Sequence, residues 1–490
     1  MIRSYLEPEQ AIPVYLGTML TLLGGVVMAS GVIPSGARDP CRFFATLGMT
    51  LGATFLAEPA IRPLEAQSGS PAGPVPVERL AAQRAALMDR IGTGVAVVRS
   101  GTLRSLERDY PQDSNYREDN DFFYLAGLEA PGGWLVLIAR KDAPDSALLY
   151  LPEREPGPEQ WTGPTLGPGS EARRLTGIED VRPASEAESQ IERTVLGSGS
   201  AARAGALFLK RGIRQAGPPF ISRLAFGGGA AGGPVPIRDL EAELAVLRQI
   251  KDEDEIRRLR RAIAITGDAL QETMREAHPG MYEYELEGRI EYGFRRRGAE
   301  RLGFPSIVGS GPNGTTLHYD ENRRQTRPGE LVVMDVGAEH GYYSADLTRT
   351  IPISGRFDRR QRQLYELVLG AQQAAIDKVR PGTDLAALNR IARDYMRRHS
   401  GKLCGESGCE RYFIHGLSHW LGMDVHDVGA YSRRLEPGMV FTIEPGIYIP
   451  AERIGIRIED DILVTPAGAE VLSARVPRTV EEVEQAMASR

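Results

Sequence analysis

The sequence is poor in cysteine and histidine and carries no excess of positive charge. Only three of its 490 residues are cysteines, which excludes a disulfide-rich scaffold. A formal net charge of −6 gives no broad basic surface, so we expect no nucleic-acid partner. No repeat of about 20–50 residues stands out, which argues against a solenoid or propeller. The 42% hydrophobic and 25% charged residues are typical of soluble globular proteins, and the length predicts two or three domains.

The cysteines leave two interpretations open. Cys404 and Cys409 enclose Gly-Glu-Ser-Gly, so they either close a small disulfide loop in an oxidising compartment or remain free thiols. A zinc site is not expected there, because zinc sites of this kind need a second ligand pair and Cys41 is the only other cysteine.

The N-terminal region is apolar and indicates export. Residues 11–34 carry no charge and are long enough to span a bilayer, although a proline and several glycines make them a poor helix. Residues 43–57 form a second uncharged run with the length of a signal-peptide core. We therefore expect a periplasmic or extracellular protein, with membrane contact through residues 11–34. The alternatives are a cytoplasmic protein with an inert extension, or a true start at Met49.

The remaining chain predicts two domains of mixed α/β (α+β) class after an extension and linker. The predicted divisions are residues 1–75, 76–238 and 239–490. The middle segment predicts an α/β domain with a helix at 78–91 and strands at 94–98, 121–125, 133–138 and 147–151. The glycine-rich residues 226–234 predict a connector, since no Lys-Ser/Thr follows as a phosphate loop requires. The last segment predicts helices at 237–277, 283–297, 358–379 and 385–399 and strands at 331–336, 342–353, 439–444 and 454–464.

Three of the 7 histidines fall in one stretch, Phe413 to Asp427. On a helix, His415, His419 and His426 would share a face; on a strand, His415 and His419 would share a face and His426 would point away. Glycines and Val425 weaken the helical interpretation. In both cases His415 and His419 converge, and imidazole is a common metal ligand.

Two predicted hairpins supply carboxylates. A turn centred on His340-Gly341 would place Asp335 directly opposite Asp346, on the same face of the sheet.

A second turn, centred between Ala451 and Glu452, would place Glu444 opposite Glu459. Both glutamates interrupt apolar strands, where a carboxylate is unfavourable unless it is paired or binds a metal.

Four carboxylates and one imidazole suit two divalent ions. Carboxylates packed together raise one another's pKa, and a metal relieves that repulsion. Oxygen-rich ligands with one nitrogen favour Mn²⁺, with Co²⁺ or Zn²⁺ as alternatives. The competing interpretation is that the carboxylates are exposed on hairpin faces.

At these residues the sequence resembles a known family, the Xaa-Pro aminopeptidases (aminopeptidase P) among the pita-bread metallopeptidases. The resemblance runs from about residue 247 to 467 and weakly through Asn120–Gly127 and Glu159–Gly163. It rests on Ser-Gly-Pro-Asn-Gly-Thr-Thr-Leu-His318, Met-Asp335-Val-Gly, Ser-Ala-Asp346-Leu-Thr-Arg, His415-Gly-Leu-Ser-His419-Trp-Leu-Gly-Met-Asp-Val-His426-Asp, Thr-Ile-Glu444-Pro-Gly-Ile-Tyr448 and Gly-Ile-Arg457-Ile-Glu459-Asp.

The resemblance implies a role for each of these residues. The metal ligands would be Asp335, Asp346, His419, Glu444 and Glu459, with Asp346 and Glu459 touching both ions. Glu444 would also be the general base and proton shuttle. His318 and His426 would steady the substrate and the tetrahedral intermediate, and His415 would line the pocket on the proline side. Tyr448 and Arg457 would hold the carboxylates in place.

The activity implied is release of an N-terminal residue joined to proline, by attack of a hydroxide that bridges the two metals. The partners would be peptides with proline at the second position, and the implied assembly is a dimer or tetramer. Three alternatives remain: an Xaa-Pro dipeptidase (prolidase), a metal-free hydrolase resembling creatinase, and a relative that only binds partners.

Overall fold

The structure is a computed structural model that describes residues 72–102, 116–197, 204–212, 219–226 and 234–488, together with two short strands near the N-terminus. Met1–Leu64 and Glu65–Arg490 form separate units. In the first unit the structure describes the antiparallel strands β1 (Thr21–Leu22) and β2 (Gly25–Val26). The apolar run at 43–57, most of that at 11–34, and most of the glycine-rich connector lie outside the described residues. Within the described parts, no helix has the length and apolarity needed to cross a membrane.

The first domain of the second unit is built on a mixed six-stranded sheet. Its strands follow the spatial order β6-β5-β4-β3-β7-β8, with parallel pairs at both ends. The strands are β3 (Gly94–Arg99), β4 (Trp134–Ala139), β5 (Ser146–Leu151), β6 (Asp180–Pro183), β7 (Leu207–Leu209) and β8 (Ile237–Asp239). The helices are α1 (Val77–Ile91), α2 (Asn120–Ala126), α3 (Pro156–Thr162), α4 (Ser170–Thr176), α5 (Ala187–Leu196) and α6 (Pro219–Phe226).

Both faces of this sheet are apolar, and this explains why its strands read as continuous hydrophobic runs. Val95 and Val97 of β3 belong to a separate core on one face. Ala96 and Val98 belong to the large core that continues into the second domain. The two domains of this unit therefore share buried apolar surface.

The second domain encloses its site between four small antiparallel sheets and surrounding helices. The sheets have the orders β10-β11-β14, β13-β12-β9, β15-β18-β19 and β16-β17. Their strands are β9 (Arg301–Leu302), β10 (Ile307–Ser310), β11 (Leu331–Val336), β12 (Ala338–His340), β13 (Tyr343–Ser344), β14 (Leu347–Pro352), β15 (Val440–Ile443), β16 (Gly446–Ile449), β17 (Ile454–Arg457), β18 (Asp460–Thr465) and β19 (Gly468–Val471). The helices are α7 (Leu240–Arg248), α8 (Glu253–Glu276), α9 (Glu283–Arg296), α10 (Arg359–Ile376), α11 (Leu385–His399) and α12 (Val480–Ala488).

Two predicted elements were wrong. The predicted strand at 121–125 is the helix α2, because Asp119 caps its first amides and Gly127 ends it in the left-handed conformation. The single predicted helix at 237–277 is strand β8 followed by α7 and α8. Asp252 starts α8 anew by forming a reciprocal capping box with Glu255.

The long strands predicted at 342–353 and 454–464 are each interrupted. The breaks fall at Ala345-Asp346 and Ile458-Glu459, and a third break separates β15 from β16 at Glu444-Pro445. Each interruption contains one of the predicted metal-binding carboxylates. Interrupted pairing thus turns these side chains toward one point between the sheets.

Candidate metal centre

The hairpin that carries Glu444 and Glu459 has the predicted register. Gly446 pairs with Arg457 on one side of the two glutamates, and Ile443 pairs with Asp460 on the other. Continuing either ladder places Glu444 opposite Glu459, so this prediction is confirmed.

The hairpin that carries Asp335 and Asp346 has a register shifted by two residues. Asp335 pairs with Thr348 rather than with Asp346. Because a shift of two keeps the alternation of faces, Asp346 still lies on the same side, diagonally from Asp335. Close approach at this point depends on Gly337, where a Cβ atom would lie 1.9 Å from the carbonyl oxygen of Ala345.

The histidine stretch forms neither a helix nor a regular strand. Residues 417–421 run beside β15, where the His419 carbonyl oxygen accepts a hydrogen bond from the Thr442 amide at 3.0 Å. His415 and His419 both reach the site, as the helical and the strand interpretation alike predicted. His426 does not point away, because the chain turns after Gly422 and brings its ring to 4.2 Å from that of His419, centroid to centroid.

His419 presents one nitrogen to three carboxylates. Its Nδ1 lies 3.1 Å from the Trp420 carbonyl oxygen, which assigns the proton to Nδ1 and leaves the lone pair on Nε2. That Nε2 is 3.2 Å from Asp346 Oδ2, 3.5 Å from Glu444 Oε1 and 4.0 Å from Glu459 Oε1. Ligand atoms of Asp346, His419 and Glu459 all lie within 4.8 Å of one another.

The residues present fit a divalent metal. Asp335 Oδ1 and Asp346 Oδ1 are buried without a hydrogen-bond partner among the described residues. A buried carboxylate oxygen without a donor is strongly unfavourable unless a cation neutralises it. The donor set therefore indicates that Asp335, Asp346, His419, Glu444 and Glu459 would hold the metal.

Three carboxyl groups of the site, those of Glu444, Asp346 and Glu459, have pKa values raised above their usual range. Burial raises the pKa of Glu444 to about 7. Burial and the neighbouring Asp335, Asp461 and Glu444 carboxylates hold the pKa of Asp346 well above its usual range. Burial and Asp346 do the same to the pKa of Glu459.

Metal binding is therefore expected to release protons. At pH 6 the raised pKa values keep protons on this cluster in the metal-free protein, and a cation favours the ionised carboxylates. Titration calorimetry in two buffers of different ionisation enthalpy should show at least about one proton released per Mn²⁺ site filled at pH 6, and fewer as the pH rises past 7. Binding of Mn²⁺ with no proton release at pH 6 would contradict the assignment of these carboxylates as metal ligands.

Arg457 and Thr348 hold two of the ligands. Arg457 donates to Asp335 Oδ2 at 2.6 Å, and its Nε lies 3.1 Å from Thr348 Oγ1, which donates to Glu459 Oε2 at 2.6 Å. Tyr448 departs from the expected role, because its hydroxyl contacts Arg457 and His415 rather than a carboxylate.

His415 is held neutral beside Glu444. The Tyr448 hydroxyl accepts from Arg457 and lies 2.9 Å from His415 Nε2, while His415 Nδ1 lies 2.7 Å from the Gly416 carbonyl oxygen and 3.6 Å from Glu444 Oε2. Burial and the nearby Arg457 cation lower the pKa of His415 to about 4. His415 is thus an uncharged imidazole near neutral pH.

The centre opens into a cavity of about 450 Å³. His318 and His426 line it on the exposed side, and burial together with the neighbouring His419 and His318 lowers the pKa of His426. Its apolar lining comes from Phe304, Pro305, Ile307, Leu317 and Val425. All the site residues identified from the sequence line or directly support this cavity.

Three neighbours were missed by the sequence reasoning: Thr348, Asp461 and Phe304. Asp461 is buried, and it accepts the Asp346 amide at 3.2 Å. Its signal was visible, since Glu459-Asp460-Asp461 places three carboxylates inside an apolar strand. Phe304 had no local signal, because only the folded chain brings it to the cavity.

Comparison with known proteins agrees with this geometry. Residues 80–201 match the aminopeptidase P N-terminal domain, and residues 257–466 match metallopeptidase family M24. The chain is 35% identical over 443 residues to the Xaa-Pro aminopeptidase of Escherichia coli K12, covering 83% of this chain and 96% of that protein. It is 32% identical to human Xaa-Pro aminopeptidase 3, covering 79% and 80% of the two chains.

Solved structures show the same architecture. Zinc-substituted aminopeptidase P from Escherichia coli in complex with product aligns with a TM-score of 0.78 at 33% identity, over 85% of this chain and 99% of that one. Proline aminopeptidase P II from Yersinia pestis aligns with a TM-score of 0.76 at 33% identity, over 85% and 100%. These matches confirm the expected architecture, an aminopeptidase P N-terminal domain followed by a pita-bread catalytic domain.

Proposed function

Because this chain belongs to the Xaa-Pro aminopeptidase family of M24 metallopeptidases, we propose that it releases the N-terminal residue from peptides whose second residue is proline. The observation that carries the proposal is the convergence of His419 Nε2 with the Asp346 and Glu444 carboxylates in the lining of a cavity of about 450 Å³. The proposed cofactor is a pair of divalent ions, with Mn²⁺ favoured by the oxygen-rich ligands and Co²⁺ or Zn²⁺ as alternatives.

The residues of the site support each step of such a hydrolysis. When bound, divalent metal lowers the pKa of water and polarises a carbonyl group. Glu444, with a pKa near 7 before metal binding, accepts the proton of the attacking water and delivers it to the proline nitrogen as that amine leaves. His318 and His426 donate to the oxygens that gain charge, and the neutral His415 faces the proline side. An Xaa-Pro bond has no amide hydrogen, so a site that recognises it must position it through shape and these imidazoles.

Comparing a tripeptide with a dipeptide tests aminopeptidase against dipeptidase activity. We expect release of the first residue from Ala-Pro-Ala in the presence of Mn²⁺, with kcat/KM at least about tenfold above that for Ala-Pro, because contacts with the residue after proline add to transition-state binding. Ala-Ala-Ala is the matched substrate without proline and should be resistant. Cleavage confined to Ala-Pro would identify a dipeptidase instead.

We further propose export to an oxidising compartment. The proposal is supported by the apolar N-terminal sequence and by the disulfide between Cys404 and Cys409. N-terminal sequencing of the mature protein tests export, since an intact Met1 in the soluble fraction would oppose it.

Membrane contact through residues 11–34 and assembly into a dimer or tetramer remain predictions. Light scattering tests the assembly.

A further inference from the structure

The segment that carries His426 has no regular secondary structure. Residues 422–428, here called the His426 loop, contain neither helix nor strand. Its backbone is held by the Asp427 amide, which donates to the Trp420 carbonyl at 2.9 Å, and by the Gly422 carbonyl, which accepts from Ser344 at 2.9 Å. The position of the imidazole must therefore depend strongly on the side chains that hold the loop.

Asp427, the residue next to His426, anchors the loop beneath the surface. Its side chain is 1% exposed and accepts from Arg248 Nη2 at 2.6 Å and from Lys251 Nζ at 2.9 Å. These two cations hold the pKa of Asp427 below its usual range despite its burial. The Asp427 side chain also packs closely against Gly422, where a Cβ atom would lie 2.1 Å from Asp427 Oδ2.

Arg248 joins this anchor to the N-terminal domain. Its Nη1 donates to Asp121 Oδ1 at 2.8 Å, while its Nη2 binds Asp427 and also approaches Asp424 Oδ2 at 3.2 Å. Asp121 lies in α2 and is bound on its other oxygen by Lys210 at 2.6 Å. The side chains of Arg248 and Asp121 are only 3% and 7% exposed.

A second contact from the N-terminal domain reaches the same loop. Arg117 donates to the Met423 carbonyl oxygen at 2.9 Å and to Glu339 Oε2 at 2.7 Å. The N-terminal domain therefore reaches the His426 loop in two ways: Arg117 binds a backbone oxygen of the loop directly, and Asp121 binds Arg248, which in turn binds Asp427.

We propose that Asp121 and Arg248 are positioning residues for catalysis: Asp121 of the N-terminal domain orients Arg248, and Arg248 holds Asp427 and thereby fixes His426. The proposal rests on the proposed function for its effect on turnover. A planar guanidinium bound to two carboxylates permits one geometry, whereas isolated charges permit many. A displacement of about 1 Å at a catalytic group lowers rates by up to about a hundredfold. The N-terminal domain thus contributes to the chemistry of a centre whose residues all lie in the other domain.

A double-mutant cycle between Asp121 and His426 tests the proposal. Asp121→Asn keeps the shape of the side chain and removes the charge that orients Arg248. We expect kcat for Ala-Pro-Ala to fall about tenfold, with metal content and KM unchanged, and to fall less than about twofold when His426→Ala is already present. An equal fold-loss in both backgrounds would overturn the proposal, because a purely structural role would not depend on His426.

The matched control is Asp254→Asn, an equivalent change at another interdomain ion pair. Asp254 binds Arg79 across the interface at 2.9 Å, and its other partners are Arg257 and Arg258, all outside the loop. We expect no change in kcat beyond about twofold. If Asp121→Asn does not fold, Arg248→Lys, which keeps the charge and loses the planar fork, takes its place in the same cycle with the same expectations.

Hydrogen–deuterium exchange separates this inference from the proposed activity. Peptides covering 422–428 should exchange faster in Asp121→Asn than in the unmodified chain and should be unchanged in Asp254→Asn. This measurement needs no turnover. If the protein cleaved no Xaa-Pro peptide, the proposed function would be refuted, but the exchange rates would still show whether Asp121 and Arg248 hold the His426 loop. Unchanged exchange of the loop in Asp121→Asn would overturn the positioning role.

Discussion

Asp346→Asn is expected to raise the melting temperature of the metal-free protein and to abolish peptide hydrolysis. Burial and the nearby carboxylates of Asp335, Asp461 and Glu444 raise the pKa of Asp346, so the folded state retains a proton that the unfolded state releases. The free energy of unfolding that this group contributes is therefore lost as the pH rises above its pKa in the unfolded state, near 4. An asparagine does not ionise, so the variant does not suffer this loss.

The expected gain is about 2–4 °C at pH 7.5 in the presence of a chelator, and smaller at pH 5. With Mn²⁺ added the order should reverse, because the unmodified chain alone gains the binding free energy of a complete site. We expect kcat/KM of the variant to fall about a thousandfold or more. Asp377→Asn, at an exposed position after α10, is the matched control and should change neither quantity. If the Asp346→Asn variant were less stable than the unmodified chain without metal, the carboxylates around Asp346 would not repel one another as the account requires.

His419→Ala and His426→Ala are expected to damage the protein differently. His419 Nε2 faces Asp346, Glu444 and Glu459, whereas the His426 ring lies tilted against the His419 ring on the exposed side of the cavity. Removing His419 should lower the bound metal measured by plasma mass spectrometry to about half or less, because a ligand is lost. Removing His426 should leave the metal content intact and lower kcat about a hundredfold, as is typical for a group that stabilises developing charge.

The two variants are each other's control, since both replace an imidazole of the same stretch with the same residue. Equal loss of metal in both would mean that His426 is a ligand too. The three histidines would then form a metal triad, which the neighbouring carboxylates argue against.

The second carboxylate hairpin could be derived from sequence because its turn is local. Its centre falls between Ala451 and Glu452, and Arg453 adopts the left-handed conformation with φ of 57° that closes it. Alternating apolar residues on both sides then fix the register. Glu444 and Glu459 are therefore opposed for reasons contained in the segment itself.

The first hairpin could not be derived in the same way, because tertiary contacts decide its turn. The two residues with positive φ are Gly341 at 59° and Tyr342 at 73°, as a type I′ turn requires, so the turn centre lies one residue later than predicted. An aromatic residue rarely adopts this conformation. Tyr342 is held there by stacking on Phe123 of the N-terminal domain at 3.6 Å between ring centroids and by donating to Glu129 at 2.5 Å.

The same contrast applies to the histidine stretch. The identities of His415, His419 and His426 indicated a site, but the path of the His426 loop depends on Asp427, Arg248 and Asp121, which are far apart in sequence. Periodicity in one segment cannot encode such a path. The strand interpretation, in which His426 would point away from the site, does not hold for this reason, and His426 lines the cavity.

The most direct test of the central claim is hydrolysis of Ala-Pro-Ala before and after exhaustive chelation and after adding back Mn²⁺. We expect activity to disappear with the metal, to return on reconstitution, and to be absent at every metal concentration in Asp346→Ala. Two results would contradict a metal-dependent Xaa-Pro aminopeptidase. One is full activity in a protein that metal analysis has shown to contain no metal, and the other is an active Asp346→Ala variant.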